Sequence, residues 1–198
     1  LHLRAPRHIS LDSIIPQTAI VGILFCAMAL NARPLNPEES ILAFQFESPD
    51  LQAELVAAEP QVIDPIAMCF DSNGDLYVVE SPGYPHEGKG LPDAHKGRIV
   101  RLSDLNGDGL LETRNVFARD LIFPNGILPW DGGFFVTSAP DILYLKDIDK
   151  DGQSDINKIV LTGFGTDSSS EQLRVACPTL GPDGWIYITS GLASAKVS

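Results

Sequence analysis

Asn73-Gly74-Asp75-Leu76-Tyr77-Val78-Val79-Glu80, Asp131-Gly132-Gly133-Phe134-Phe135-Val136-Thr137-Ser138 and Asp183-Gly184-Trp185-Ile186-Tyr187-Ile188-Thr189-Ser190 are three copies of one pattern. In each, an Asp/Asn-Gly turn runs straight into an apolar stretch rich in β-branched and aromatic residues, the signature of a turn followed by a strand. The copies recur 58 and then 52 residues apart. A second pair repeats beside them: Arg98-Ile-Val-Arg-Leu-Ser-Asp104 and Asp141-Ile-Leu-Tyr-Leu-Lys-Asp147, each ending in an acidic glycine loop. A third element follows each loop, Arg114-Asn-Val-Phe-Ala118 and Ile156-Asn-Lys-Ile-Val-Leu161. One repeat is therefore four short strands.

Four-stranded units at this period predict an all-β fold, a β-propeller whose blades bury their faces only against neighbouring blades. A β-sandwich does not account for the same turn and strand recurring three times. Inner strands are expected to begin near Ile66, Ile127 and Thr179, and 54–59 to be an outermost strand. A ring needs about four to eight blades, so residues 52–198 are expected to form an arc of about two and a half, the N-terminal part of a larger propeller. Antiparallel succession places the insertions at 82–97 and 163–171 on one face, and long loops on a rigid scaffold are where sites are sought.

Composition agrees. With 17 Gly and 15 Pro in 198 residues, long helices cannot dominate, and a net charge of −12 disfavours nucleic acid and anionic lipid. Arg4, Arg7 and His8 precede the apolar run 18–30, with Ala27-Met28-Ala29 at cleavage spacing, so residues 1–29 read as a secretory signal. An uncleaved membrane anchor is the alternative. Export places the protein in the periplasm, or membrane-associated on the outer side of the cytoplasmic membrane. Residues 30–51 read as a linker holding a short helix, because Asn36-Pro37-Glu38-Glu39 supplies a cap, a first-turn proline and two first-turn acids.

Two loops carry calcium spacing. Asp104, Asn106, Asp108 and Glu112 in one, and Asp147, Asp149, Asp151 and Asp155 in the other, put oxygen ligands at alternate positions with a glycine where the chain turns. Plain acidic hairpin turns use the same residues. At the predicted channel mouth, Asp64, Asn125 and Cys177 are brought to the axis by strand alignment, with Gln172 and Arg174 beside them; Asp64 and Asn125 also suit simple turns. His86, in the first insertion, is the candidate base. Trp130 and Trp185 read as packing residues, and Cys69 and Cys177 as too far apart to bridge.

Pro37-Glu-Glu-Ser40, Glu54-Leu-Val-Ala-Ala-Glu-Pro60, Asp75-Leu-Tyr-Val-Val-Glu80, Tyr84-Pro-His86, Leu128-Pro-Trp130, Asp141-Ile-Leu-Tyr-Leu145 and Gly163-Phe-Gly165 together resemble secreted propellers of the membrane-bound dehydrogenase type from planctomycete-type bacteria. These are similar to the soluble quinoprotein glucose and sorbosone dehydrogenases. The resemblance implies oxidation of a sugar or alcohol by pyrroloquinoline quinone (PQQ) with a base, calcium and arginine contacts, and Arg174, Gln172, Asp64, Asn125 and Cys177 at the predicted mouth are the candidate cofactor-binding residues. It also implies a cytochrome c acceptor, or a haem c module farther along the chain. Family members carry His in a Gln-His-x-Val stretch, where this chain has Gln172-Leu173-Arg174-Val175. That substitution leaves open a non-catalytic propeller binding glycans or proteins. Phe123-Pro124-Asn125-Gly126 is also similar to the Pro-Asn-Gly of calcium-dependent lactonases.

Overall fold

The computed structural model describes residues 34–84, 96–165, 174–191 and 197–198. The chain divides into two compact units, 1–54 and 55–198. In the first unit, helix α1 (Pro37–Ala43) starts at Asn36, whose side chain accepts the Glu39 backbone N–H while the Glu39 carboxylate accepts that of Asn36. This reciprocal pair satisfies two of the donors that a helix N-terminus leaves open. No helix among the described residues is long and apolar enough to cross a membrane. The proposed signal at 1–29 lies outside them.

The second unit is all-β. Strands β1 (Pro65–Phe70), β2 (Leu76–Glu80), β3 (Gly97–Ser103) and β4 (Thr113–Leu121) form one antiparallel sheet in sequence order. Strands β5 (Pro124–Trp130), β6 (Gly133–Ser138), β7 (Asp141–Lys146) and β8 (Ile156–Leu161) form a second of the same design. Strands β9 (Ala176–Leu180) and β10 (Ile186–Thr189) pair as a third. The three turn-and-strand copies are thus β2, β6 and β10 with the turns that lead into them. Residues 51–58 form no strand, against the expectation of an outermost strand at 54–59. Ala57 and Val62 instead pack onto the face of the first sheet, around Val78, Val100 and Leu102.

All five residues of β2 are buried because the strand is covered on both faces. Tyr77 and Val79 join Ile99, Phe117, Phe134, Val136 and Leu145 in a core between the first two sheets. Leu76 and Val78 face the other way. A strand covered on both sides reads as a continuous apolar run rather than as an alternation. Phe164 and Val175 make the next core with Ile142 of the second sheet, and Ile188 of the third packs against it. The leading strands approach closely: a Cβ on Gly126 would lie 2.6 Å from the Pro178 ring and 2.7 Å from Thr137 Oγ1, so only glycine fits there. Each leading strand carries an irregularity in its ladder, between Pro65 and Ala67, between Pro124 and Gly126, and opposite 187–189.

Candidate functional site

Antiparallel order gives each four-stranded sheet two ends. One carries the short turns at 71–75 and 131–132 and the acidic loops at 104–112 and 147–155. The other carries the long connections at 81–96 and 162–175.

The acidic loops have one backbone design. Asp104 Oδ1 accepts the N–H groups of Asn106 and Gly107, at 3.1 and 2.6 Å, and its Oδ2 accepts that of Gly109 at 2.8 Å. Asp147 does the same for Lys150 and Gly152, at 2.6 and 2.8 Å. Asn106 Oδ1 accepts the Asp108 N–H, and Asp149 Oδ1 that of Asp151. The closing carboxylates, Glu112 and Asp155, accept the N–H of Leu105 and of Ile148. Gly107 and Lys150 occupy one left-handed position, with φ 80° and 66°, and Gly109 and Gly152 another, both at φ 90°. The backbone N–H groups of Gly109 and then Gly107, followed by Asn106 and Asp108, hold the Asp104 carboxyl below its ordinary value of 3.8. The contribution to stability is complete above that value and is lost as pH falls through the depressed one. Asp104, Asp108 and Glu112 bring one oxygen each within 4.8 Å of one another, as do Asp147, Asp149 and Asp151. Asn106 Nδ2 donates to Glu112 Oε1 at 2.6 Å, and Asp155 remains on the backbone of its own loop.

At the long-connection end, Asp64 stands one residue before β1 with φ 45°. Register pairs Pro65 with Glu80 and Pro124 with Ser138, so the counterpart of Asp64 in the second sheet is Phe123, at φ 47°, while Asn125 corresponds to Ile66. Asn125 lies in the irregular step of β5, its Oδ1 accepting from the buried Thr137 hydroxyl at 2.7 Å. Cys177, at φ 55°, abuts Gly126. Asn125 and Cys177 are thereby neighbours across two leading strands, and Asp64 belongs to a different step of its own. Cys69 and Cys177 are free thiols. Burial first, then Asp71, pushes the Cys69 thiol up to about 12.

Arg174 is 7% exposed. Its guanidinium lies 4.1 Å over the Phe123 ring and donates to the Gly165 carbonyl at 3.0 Å. Its Nε is buried with no acceptor among the described residues. His86 and Gln172 lie outside the described residues.

Sequence reading missed Glu80. This carboxylate is fully buried, Oε2 accepting from Arg98 Nε at 2.6 Å and from the Arg114 guanidinium at 2.9 Å, while Oε1 takes the Ile63 N–H at 2.9 Å. Arg114 Nε also holds the Gln61 carbonyl, and Gln61 Nε2 donates to the Leu111 carbonyl. An acid closing an otherwise apolar run, with arginines in the two following strands, was the available signal. The indoles of Trp130 and Trp185 are 41% and 72% exposed rather than packed, since both flank turns at the ends of their strands.

Residues 36–198 match the family described as a domain of unknown function, DUF7133, and the chain belongs to that family. No curated protein and no solved structure matches the chain.

Proposed function

We propose that this member of the DUF7133 family is the N-terminal arc of an exported β-propeller that oxidises a sugar or polyol with PQQ at the long-connection end. Repeated four-stranded meanders with adjacent leading strands support the propeller reading. The observation that carries the cofactor reading is Arg174. A buried guanidinium whose Nε has no acceptor among the described residues is costly unless another group completes its hydrogen bonds, and a planar carboxylate suits that fork. When bound there, PQQ would supply the two-electron oxidation of the substrate carbinol. Asn125 and Cys177, neighbours across two leading strands, are the residues we assign to polar contacts with the cofactor or a substrate hydroxyl. Asp64 stands before β1, and Gln172 is the other expected contact. His86 is the group we assign to take the substrate proton. A cytochrome c or a haem c module receives the electrons.

Calcium is proposed in the two acidic loops at the opposite end, where it is structural. In each, three carboxylate oxygens converge within 4.8 Å and lose their mutual repulsion on binding a divalent cation.

The complete protein carrying this arc, supplied with PQQ and calcium, is expected to reduce an artificial electron acceptor with a polyol or sugar. Arg174→Ala should abolish PQQ retention, and His86→Ala should lower turnover without releasing the quinone. Calcium added to chelated protein should raise the melting temperature, with Asp108→Ala and Asp151→Ala each removing part of the rise. Failure of PQQ to bind under any metal condition would transfer the function to glycan or protein binding, the reading that Leu173 in place of the family's histidine favours.

A further inference from the structure

Between the short turns of the first two sheets lies a cavity of about 360 Å³, at the end away from Arg174. That volume is within the range of small-ligand sites. Its floor is the aromatic cluster of Tyr77, Phe117 and Phe134. The Tyr77 ring is 4.3 Å from that of Phe134 and 5.1 Å, edge-on, from that of Phe117. The half-exposed Trp130 forms a wall, and Asp71, Asp131 and Asp147 bring three carboxylates to the lining, which contains no Lys or Arg.

These carboxylates are not equivalent. Asp71 caps its own turn by accepting the N–H groups of Asn73 and Asp75, and Asp147 caps the acidic loop. Asp131 uses only its backbone carbonyl, which takes Tyr144 Oη and Lys146 Nζ at 3.0 and 2.7 Å. Its carboxylate has no hydrogen bond among the described residues. Tyr77 is 6% exposed, and its hydroxyl makes no hydrogen bond among them either. Arg174 Nε is the one fully buried side-chain polar atom without a partner among the described residues, so the Tyr77 hydroxyl keeps some exposed surface and is open to a ligand. Burial, together with Asp71, Asp75 and Asp147 and against Arg101, raises that phenol to about 12, so it stays neutral and keeps both lone pairs.

We propose that this cavity binds a primary ammonium group on an aliphatic stem, its N–H groups donated to the Asp131 carboxylate and the Tyr77 hydroxyl oxygen and its stem laid against Trp130. Carboxylates and aromatic faces both attract positive charge, and together they form the kind of surface that selects organic cations. A sugar can donate its hydroxyls to these carboxylates and stack on the aromatic wall, but being neutral it gains nothing from their net negative charge, which is what an ammonium group uses. Lysyl side chains and free diamines share the required chemistry.

Calorimetric titration of the purified protein tests this with 1,5-diaminopentane, Nα-acetyl-lysinamide, the neutral 1,5-pentanediol and glucose. Saturable binding of the amines but not of the diol or glucose is expected. Preference between the two amines distinguishes a free diamine from a lysyl side chain. Trp130→Ala and Asp131→Asn should each weaken binding about tenfold; asparagine tolerates the left-handed backbone at this position, φ 47°. Tyr77→Phe should weaken binding several-fold while leaving the melting temperature nearly unchanged, since no hydrogen bond of the protein is lost. No amine binding, equal binding of the diol, preference for glucose, or amine binding indifferent to all three variants would overturn the proposal. PQQ retention by the same samples is unaffected if the two sites are separate.

Discussion

The two four-stranded sheets share strand order, register and loop design, yet they differ at one matched position. Glu80 and Ser138 both end the second strand and both face a proline of the first, Pro65 and Pro124. In the second sheet the small hydroxyl of Ser138 closes on the Ile122 carbonyl at 2.7 Å, and the face it shares with Phe134 and Val136 is covered by the first sheet. In the first sheet the only cover for that face among the described residues is the incoming segment around 57–63, which has no strand to pair with. Glu80 supplies what a ladder would have supplied: it accepts the Ile63 N–H and draws Arg98 and Arg114 together, and Arg114 then holds the Gln61 carbonyl. A buried ion cluster thus holds a segment that pairs with no strand among the described residues.

The comparison is broken most severely by removing its cause. Glu80→Ala leaves two partly buried guanidiniums without their shared anion, and unfolding in urea is expected to show a loss of about 3 kcal/mol. The matched change, Ser138→Ala, deletes one neutral hydrogen bond and should cost about 1 kcal/mol. Equal losses would mean that the segment at 57–63 is held by its apolar contacts alone.

A finer test compares the glycines at φ 90° in the acidic loops. Gly109→Ala and Gly152→Ala force an L-residue into the left-handed region and should each cost roughly 1–2 kcal/mol. A Cβ on Gly109 would meet nothing within 4 Å, and one on Gly152 would lie 3.6 Å from an Arg101 nitrogen, an ordinary contact. Backbone strain alone therefore sets both values, and a large difference between the two melting curves would show that the loops are not the same structure.

The reading of these sheets from sequence succeeded where chemistry is local. Asp/Asn-Gly turns ahead of apolar runs mark β2, β6 and β10, because turn and strand are written in adjacent residues. The acidic loops were equally legible, since alternate carboxylates and a left-handed glycine lie within nine positions. Glu80 was not, because its partners Arg98, Arg114 and Ile63 come from three other segments, and its burial depends on a face that the repeat pattern assigned to a strand. Alignment of Pro65-Ile66 with Gly126-Ile127 placed Asp64 beside Asn125, whereas the register pairs Pro65 with Glu80 and Pro124 with Ser138 and so makes Phe123 the counterpart. Trp130 was read as core from its place in a strand, but the end of a strand beside a turn is open to solvent.

The smallest expected effect concerns the left-handed position of the acidic loops at which the two sheets use different residues. Gly107 fits the left-handed backbone without strain, whereas Lys150 holds it at φ 66° with a side chain. Lys150→Gly relieves that strain but gives the unfolded chain more freedom to lose, so the net gain is about 0.5 kcal/mol. The backbone N–H bond from residue 150 to Asp147 Oδ1 survives the change. The lysine charge does not, and the three clustered, mutually repelling carboxylates of Asp147, Asp149 and Asp151 are then left without a lysine in their loop. At low ionic strength this repulsion offsets the relief of strain; near 1 M salt, where screening shortens to about 3 Å, the gain should emerge in full. The reverse change, Gly107→Lys, should destabilise by a similar amount at high salt and by less at low salt, because the new cation joins Asp104, Asp108 and Glu112. Urea melts of both variants at two salt concentrations measure the crossing. Stabilities of both variants that converge on that of the parent near 1 M salt would show that charge, not backbone strain, explains why the loops differ.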